Sequence, residues 1–242
     1  MNPTKLVEIW VYLAASPLLG LTLTLLAYQA AFWIYKRSGM SPWANPVAIA
    51  VAIIVALLWA THTPYRTYFE GAQFVHFLLG PATVALALPL YAQLERLKRM
   101  AGPLLVALFV GSVTAAVSAL AIGKLFGASA ATVRSLAPKS VTTPIAMGIA
   151  EKIGGLPSLT AVLVVTTGIF GAVMARGILN FLSIKDPAVR GFSVGVAAHG
   201  IGTARAFQVS ETTGAFAALA MGLNGVLTAL LLPLLFRYAS GL

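Results

Sequence analysis

The chain has 242 residues, 59% of them apolar and only 9% charged, where an ordinary soluble domain carries about 25% charge. Six acidic residues do not solvate a body of this size, so a water-soluble globule, a disordered chain and a repeat solenoid are excluded and a polytopic membrane protein remains. The net charge of +10 lies in small groups between apolar runs, such as Lys36-Arg37 and Arg96, Lys98 and Arg99, which fits loops pinned to one side of a bilayer and excludes a nucleic-acid-binding face.

A hydrocarbon slab of roughly 30 Å requires about 20 apolar residues at 1.5 Å each, and spans are predicted on that basis in chain order. The first covers 11–35 and stops at Lys36-Arg37; its apolar run, preceded by Lys5, is too long for a signal peptide and has no small-residue cleavage pattern. A short span at 45–59 gives way to a polar connection, 62–71, and a third starts near Phe74 and ends at the charged run 95–99. The fourth covers 102–126. A segment rich in Ala, Ser and Thr, 127–141, precedes a short apolar piece at 144–153, and the next span covers 158–182. A Gly-rich segment, 191–209, leads to the last span at 215–236. Placing the loops at 36–37 and 95–99 on the cytoplasmic side is self-consistent, whereas the later cations fall on both sides. The chain has no cysteine, which excludes disulfides and thiolate sites.

Three stretches recur at 60-residue intervals and end in Thr83, Thr143 and Thr203; the last two also match at Ala146/Ala206, Glu151/Glu211, Gly154/Gly214 and Leu159/Leu219. The spacing predicts an internal repeat. Thr143 followed by Pro144, with Gly154-Gly155 ten residues on, predicts a capped helix of 10 to 11 residues, and Thr203 to Gly214 reads alike. Each is about half a bilayer long. Half-helices leave backbone N–H groups and a positive dipole end in a dry region, which is stable only where they line a cavity that binds something, and an anion suits those ends. The plainer alternative is a helix starting at the interface beside close Gly-mediated packing.

The polar residues at these breaks are Lys139, Glu151, Lys152, His199, Arg205 and Glu211. Arg205 either holds a planar anion bidentately beside the N–H groups of 202–204 or pairs structurally with Glu211 or Glu151. His199 either carries a coupled proton or is packed between helices. Glu151 and Glu211 are expected near the C-terminal ends of their half-helices. His62 and His76 have no second ligand at helical spacing, so no metal site is expected. There is no G-x-S-x-G, G-x-x-x-x-G-K-[ST] or H-E-x-x-H, so no enzymatic chemistry and no cofactor is expected.

At the blocks 77–87, 138–146 and 198–206, which contain Gly80-Pro81-Ala82-Thr83, Lys139-Ser140-Val141-Thr142-Thr143-Pro144 and His199-Gly200-Ile201-Gly202-Thr203-Ala204-Arg205, the chain resembles the LrgB/CidB membrane proteins over almost its whole length. Gly148 departs from the pattern, which has a bulkier or acidic residue there. The resemblance implies a single LrgB-like transmembrane domain over 1–242 and two kinds of function. Bacterial members are known as holin/antiholin-like modulators of murein hydrolase activity and autolysis, and usually pair with a smaller LrgA/CidA membrane protein. Fused members are similar to plastid glycolate/glycerate transporters, and some bacterial pairs are linked to pyruvate.

The resulting expectation is an all-α polytopic integral membrane protein with seven or eight transmembrane helices, discontinuous half-helices and an internal repeat, in the bacterial inner membrane. The expected function is transport of small monocarboxylates of the glycolate, glycerate, lactate or pyruvate type, with or without a coupled proton; the alternative is autolysis modulation without a transported substrate. Expected substrate ligands are Thr83, Ser140, Thr142, Thr143, His199, Gly202, Thr203, Arg205 and Asn224, with His199, Glu151 and Glu211 as proton carriers. Expected partners are a small organic anion, the lipid bilayer, a second copy of the chain and a small LrgA/CidA-type protein, with no nucleic acid.

Overall fold

The structure, a computed structural model, describes residues 17–239, so Lys5 and the start of the first predicted span lie outside the described residues. Among those, every regular element is a helix. They fall into two compact units, divided after Ala85.

The first unit holds α1 (Pro17–Arg37), α2 (Pro46–Ala60), α3 (Tyr65–Phe77) and α4 (Leu79–Ala85). Asn45 starts α2 as its sequence suggests: Oδ1 accepts from the N–H of Val47 at 2.9 Å and of Ala48 at 3.1 Å, and Pro46 takes the first helical position. Ala27 and Ala31 of α1 pack on Ala50 of α2. Against α3, Gly20 allows backbone approach, since a Cβ there would lie 2.5 Å from the Tyr68 carbonyl oxygen, and Thr24 Oγ1 is 2.7 Å from the Tyr68 hydroxyl.

The second unit holds α5 (Ala87–Tyr91), α6 (Leu94–Leu125), α7 (Ala130–Leu136), α8 (Thr143–Lys152), α9 (Pro157–Phe181), α10 (Pro187–Val209) and α11 (Glu211–Ala239). α6 and α11 run side by side in the same direction. Ser112 of α6 meets Asn224 of α11, and further along Ala116 and Leu120 pack with Leu232 and Phe236. Leu104 and Leu108 of α6, Phe192 and Val196 of α10 and Phe216 and Ala220 of α11 form one core. Ala146 and Ile149 of α8 and Val164 of α9 join Leu232 in another.

Five runs among the described residues are long and apolar enough to cross a membrane: Leu18–Arg37, Tyr65–Tyr91, Leu94–Leu125, Pro157–Phe181 and Glu211–Tyr238. The predicted count of seven or eight is not confirmed by these five. Pro46–Ala60 is too short, and neither α8 nor α10 qualifies. The predicted polar connection at 62–71 is largely helical, and the third predicted span is divided into α3, α4 and α5. The charged run at 95–99 is the first part of α6 rather than a loop, because a helix can continue past the apolar stretch when its polar end meets water.

The predicted short helix at 143–153 forms as α8. Gly154 closes it with φ 76° and Gly155 donates to the Ala150 carbonyl at 2.7 Å. The predicted helix at 203–213 does not form over those residues. α10 breaks at His199 (φ 41°, ψ −134°) and ends at Val209, so its second arm begins before Thr203. A new start follows at Ser210, whose Oγ accepts from the Thr213 N–H at 3.1 Å. Glu211 is therefore in the first turn of α11, where the helix dipole favours a carboxylate, and not at a C-terminal end.

At His199 the chain reverses. Before it, Gly191 lies against Thr213 and Gly195 against Ala217, where added Cβ atoms would sit 2.1 and 2.2 Å from the respective carbonyl oxygens. Past it, Thr203 Oγ1 is 3.8 Å from Met221 Sδ and the Phe207 ring covers Gly214. α10 thus runs up the first half of α11 and back down it. The α7–α8 segment makes a similar excursion along the other half. Val133 and Leu136 pack near Gly123, Ser140 reaches Asn224, Ile145 lies by Gly225, and Ile149 and Ile153 return with Leu232.

Candidate functional site

The two excursions meet at Asn224. Its side-chain amide is buried and donates to the Ser140 carbonyl at 3.1 Å and to the Val196 carbonyl at 3.1 Å. Its Oδ1 accepts from the Ser112 hydroxyl and from Thr228 Oγ1, the latter at 3.3 Å. In an unbroken helix Val196 O would take the N–H of Gly200; the reversal at His199 removes that donor, and Asn224 replaces it. With two donors and its acceptor engaged, Asn224 joins protein to protein.

His199 is buried, with Nε2 2.9 Å from the Val164 carbonyl oxygen of α9. A carbonyl only accepts, so Nε2 carries the proton of that bond. Gly168 makes room for the ring, since a Cβ there would lie 2.6 Å from His199 Cε1. Thr203, also buried, donates to the His199 carbonyl at 2.8 Å. This hydroxyl helps to satisfy the carbonyl at the break.

Beside this junction, between α9 and α10, lies a groove of ≈ 490 Å³ lined by Lys139, Thr166, Thr167, Phe170, Met174, Ser193 and neighbouring small or apolar residues. Among the described residues Lys139 is its one charged lining residue. Its Nζ donates to Ser140 Oγ at 3.3 Å, which leaves two N–H groups for another acceptor. Thr166 and Ser193 hydroxyls donate to their own helix carbonyls. The groove is therefore an apolar space with a single cation at the α7–α8 connection.

Of the predicted ligands, the structure brings Ser140, His199, Thr203 and Asn224 into or beside the junction, all buried. Gly202 packs in the second arm of α10, where a Cβ would meet Ala198 at 2.6 Å. Thr142 and Thr143 are half-buried at the start of α8, with no side-chain cap bond from Thr142. Arg205 is half-buried, donates to Gln208 Oε1 at 2.9 Å and does not line the groove. Glu151 and Glu211 are exposed. Thr83 lies in α4, and its side chain is outside the described residues. Sequence reasoning noted Lys139 as a polar residue of the break but omitted it from the ligand set, together with Thr167. The available signal was a lysine flanked by Pro138 and Ser140 in an otherwise uncharged stretch.

The LrgB-like family model matches residues 24–238. The chain is 35% identical to YwbG of Bacillus subtilis (strain 168) over 221 residues, 91% of this chain and 98% of that protein. It is 36% identical to YxaC of the same organism over 212 residues, 88% and 92% of the two chains. Both are described as uncharacterized. A protein of Bacillus cereus (strain B4264) named antiholin-like protein LrgB is 29% identical over 223 residues, 92% and 97% of the two chains. No solved structure matches. Coverage of this extent together with several membrane-length apolar helices makes the protein a multi-pass bacterial membrane protein, and the chain belongs to the LrgB-like family.

Proposed function

We infer that the chain is a secondary transporter of small monocarboxylates, with the carboxylate at Lys139 in the α9–α10 groove. The observation that carries this reading is the single lysine in an otherwise uncharged groove of ≈ 490 Å³, next to two chain reversals joined by Asn224. One cation matches one carboxylate; a dianion would call for a second. Reversals of this kind are tolerated at membrane depth only where they are covered by protein or line a cavity, and discontinuous helices mark substrate sites in secondary transporters. In this reading α8 and the second arm of α10 act as half-helices near the midplane, and His199 relays a symported proton. Glu151 and Glu211, both exposed, lie at the ends of their elements and serve as partners to water or cations.

A specific observation favours a second reading. Of the relatives named above, one has a name that states a role, antiholin-like protein LrgB, and it supports modulation of murein hydrolases and autolysis. Purified protein in liposomes separates the two. Transport predicts saturable uptake of labelled lactate, pyruvate or glycolate that Lys139→Gln removes. Absence of uptake, with indiscriminate release of large dyes, rejects transport in favour of the holin-like reading.

A further inference from the structure

A second groove, of ≈ 580 Å³, runs between α6 and α11 on the α7 side. Its walls are Val113, Val117 and Leu120 of α6 and Leu231, Leu235 and Phe236 of α11. Lys124, in the last turn of α6, and Arg134 of α7 also line it, and no lining residue among the described residues is acidic. Because α6 and α11 are parallel here, both cations lie toward the same end as Phe236, and the apolar walls extend from there toward Ser112 and Asn224. We propose that this groove is a binding site for one anionic phospholipid, with its phosphate at Lys124 and Arg134 and an acyl chain along the α6–α11 walls.

Charge and the placement of the cations select this occupant. From Val113 to Lys124 the groove is about 16 Å long at 1.5 Å per residue, with both cations at one end and apolar walls along the rest, the layout of a headgroup followed by an acyl chain. Apolar walls alone would take any lipid. The two cations add the preference for a negative headgroup, and lysine and arginine near helix ends extend toward the headgroup level. Arg134 is half-buried and lines the groove, with its guanidinium close to Gly154 at the end of α8, where a Cβ would be 2.9 Å from Nη1.

Native mass spectrometry of the full chain, titrated with phosphatidylglycerol or with phosphatidylcholine, tests this. The parent should retain one phosphatidylglycerol preferentially. The K124Q/R134Q variant should lose that preference by about thirty-fold, the combined effect of two interfacial cations, with phosphatidylcholine binding unchanged. Ala116→Trp, which fills the groove from α6, should remove the bound lipid of both kinds, and millimolar glycerol phosphate should not compete. Unchanged phosphatidylglycerol preference in a folded K124Q/R134Q protein overturns the proposal. So does an Ala116→Trp protein that keeps its lipid but loses a second protein chain, because the groove then holds a helix.

Discussion

At the residue scale, Asn224 joins three parts of the chain that are far apart in sequence. Asn224→Ala leaves the Ser140 and Val196 carbonyls without the donors seen here, and removes the acceptor of Ser112 and Thr228. Buried unpaired polar groups cost about 1–3 kcal/mol each, so the variant should lose roughly 2–5 kcal/mol, read as a large drop in the melting temperature of solubilised protein. Asn224→Asp should be nearly as harmful, since a carboxylate donates no N–H to either carbonyl. Asp186 is a milder case at the start of α10. Slight burial pushes its carboxyl up, but the Val189 and Ala188 N–H groups and Arg96, 2.6 Å away, outweigh this and hold it below its ordinary value. A carboxyl with a lower pKa folded than unfolded contributes stability that is fully present above about pH 3.9 and is lost as pH falls through the folded value. Asp186→Asn keeps the helix cap but removes the ion pair with Arg96, so thermal melts from pH 6 to pH 3 should show a shallower acid loss in the variant than in the parent.

At the scale of elements, local chemistry decided what the sequence made legible. Asn45-Pro46 and Asp186-Pro187 start helices where their side chains accept N–H bonds, and Gly154 ends α8 in the left-handed conformation expected of it. The predicted span at 158–182 is α9 within one residue at either end. The reversal at His199 was not legible at its true position. No proline follows it, a histidine at φ 41° is uncommon, and the replacement donor for Val196 comes from Asn224, 28 residues away. The 60-residue spacing therefore pointed to Thr203, which lies one turn into the arm. Lys139 escaped the ligand set because its groove is made by α9 and α10, elements that follow it in the chain. Gly148 offers a test on a single helix. It is exposed in mid-α8, and a Cβ there would meet nothing within 4 Å. Gly148→Ala should stabilise the protein by up to about 1 kcal/mol, seen as a raised melting temperature with ligand binding unchanged; a lowered one would mean that α8 needs a bare backbone at that point.

At the scale of the whole molecule, apolar helices make a membrane protein of the LrgB-like family, and the proposed transport site rests on the second unit. The α7–α8 segment and α10 run along opposite halves of α11 and meet at one buried amide, and the cation beside that junction is Lys139, while Arg205 is bonded to Gln208. Binding of a monocarboxylate series to Lys139→Gln and Arg205→Gln proteins, followed by ligand-induced thermal shift, tests this choice most directly. Loss of hydrogen bonds to a charged group should weaken binding by at least about ten-fold in Lys139→Gln, with Arg205→Gln close to the parent. If folded Lys139→Gln protein binds carboxylates like the parent while Arg205→Gln does not, the anion is held in the second arm of α10 and the groove at Lys139 is not the site.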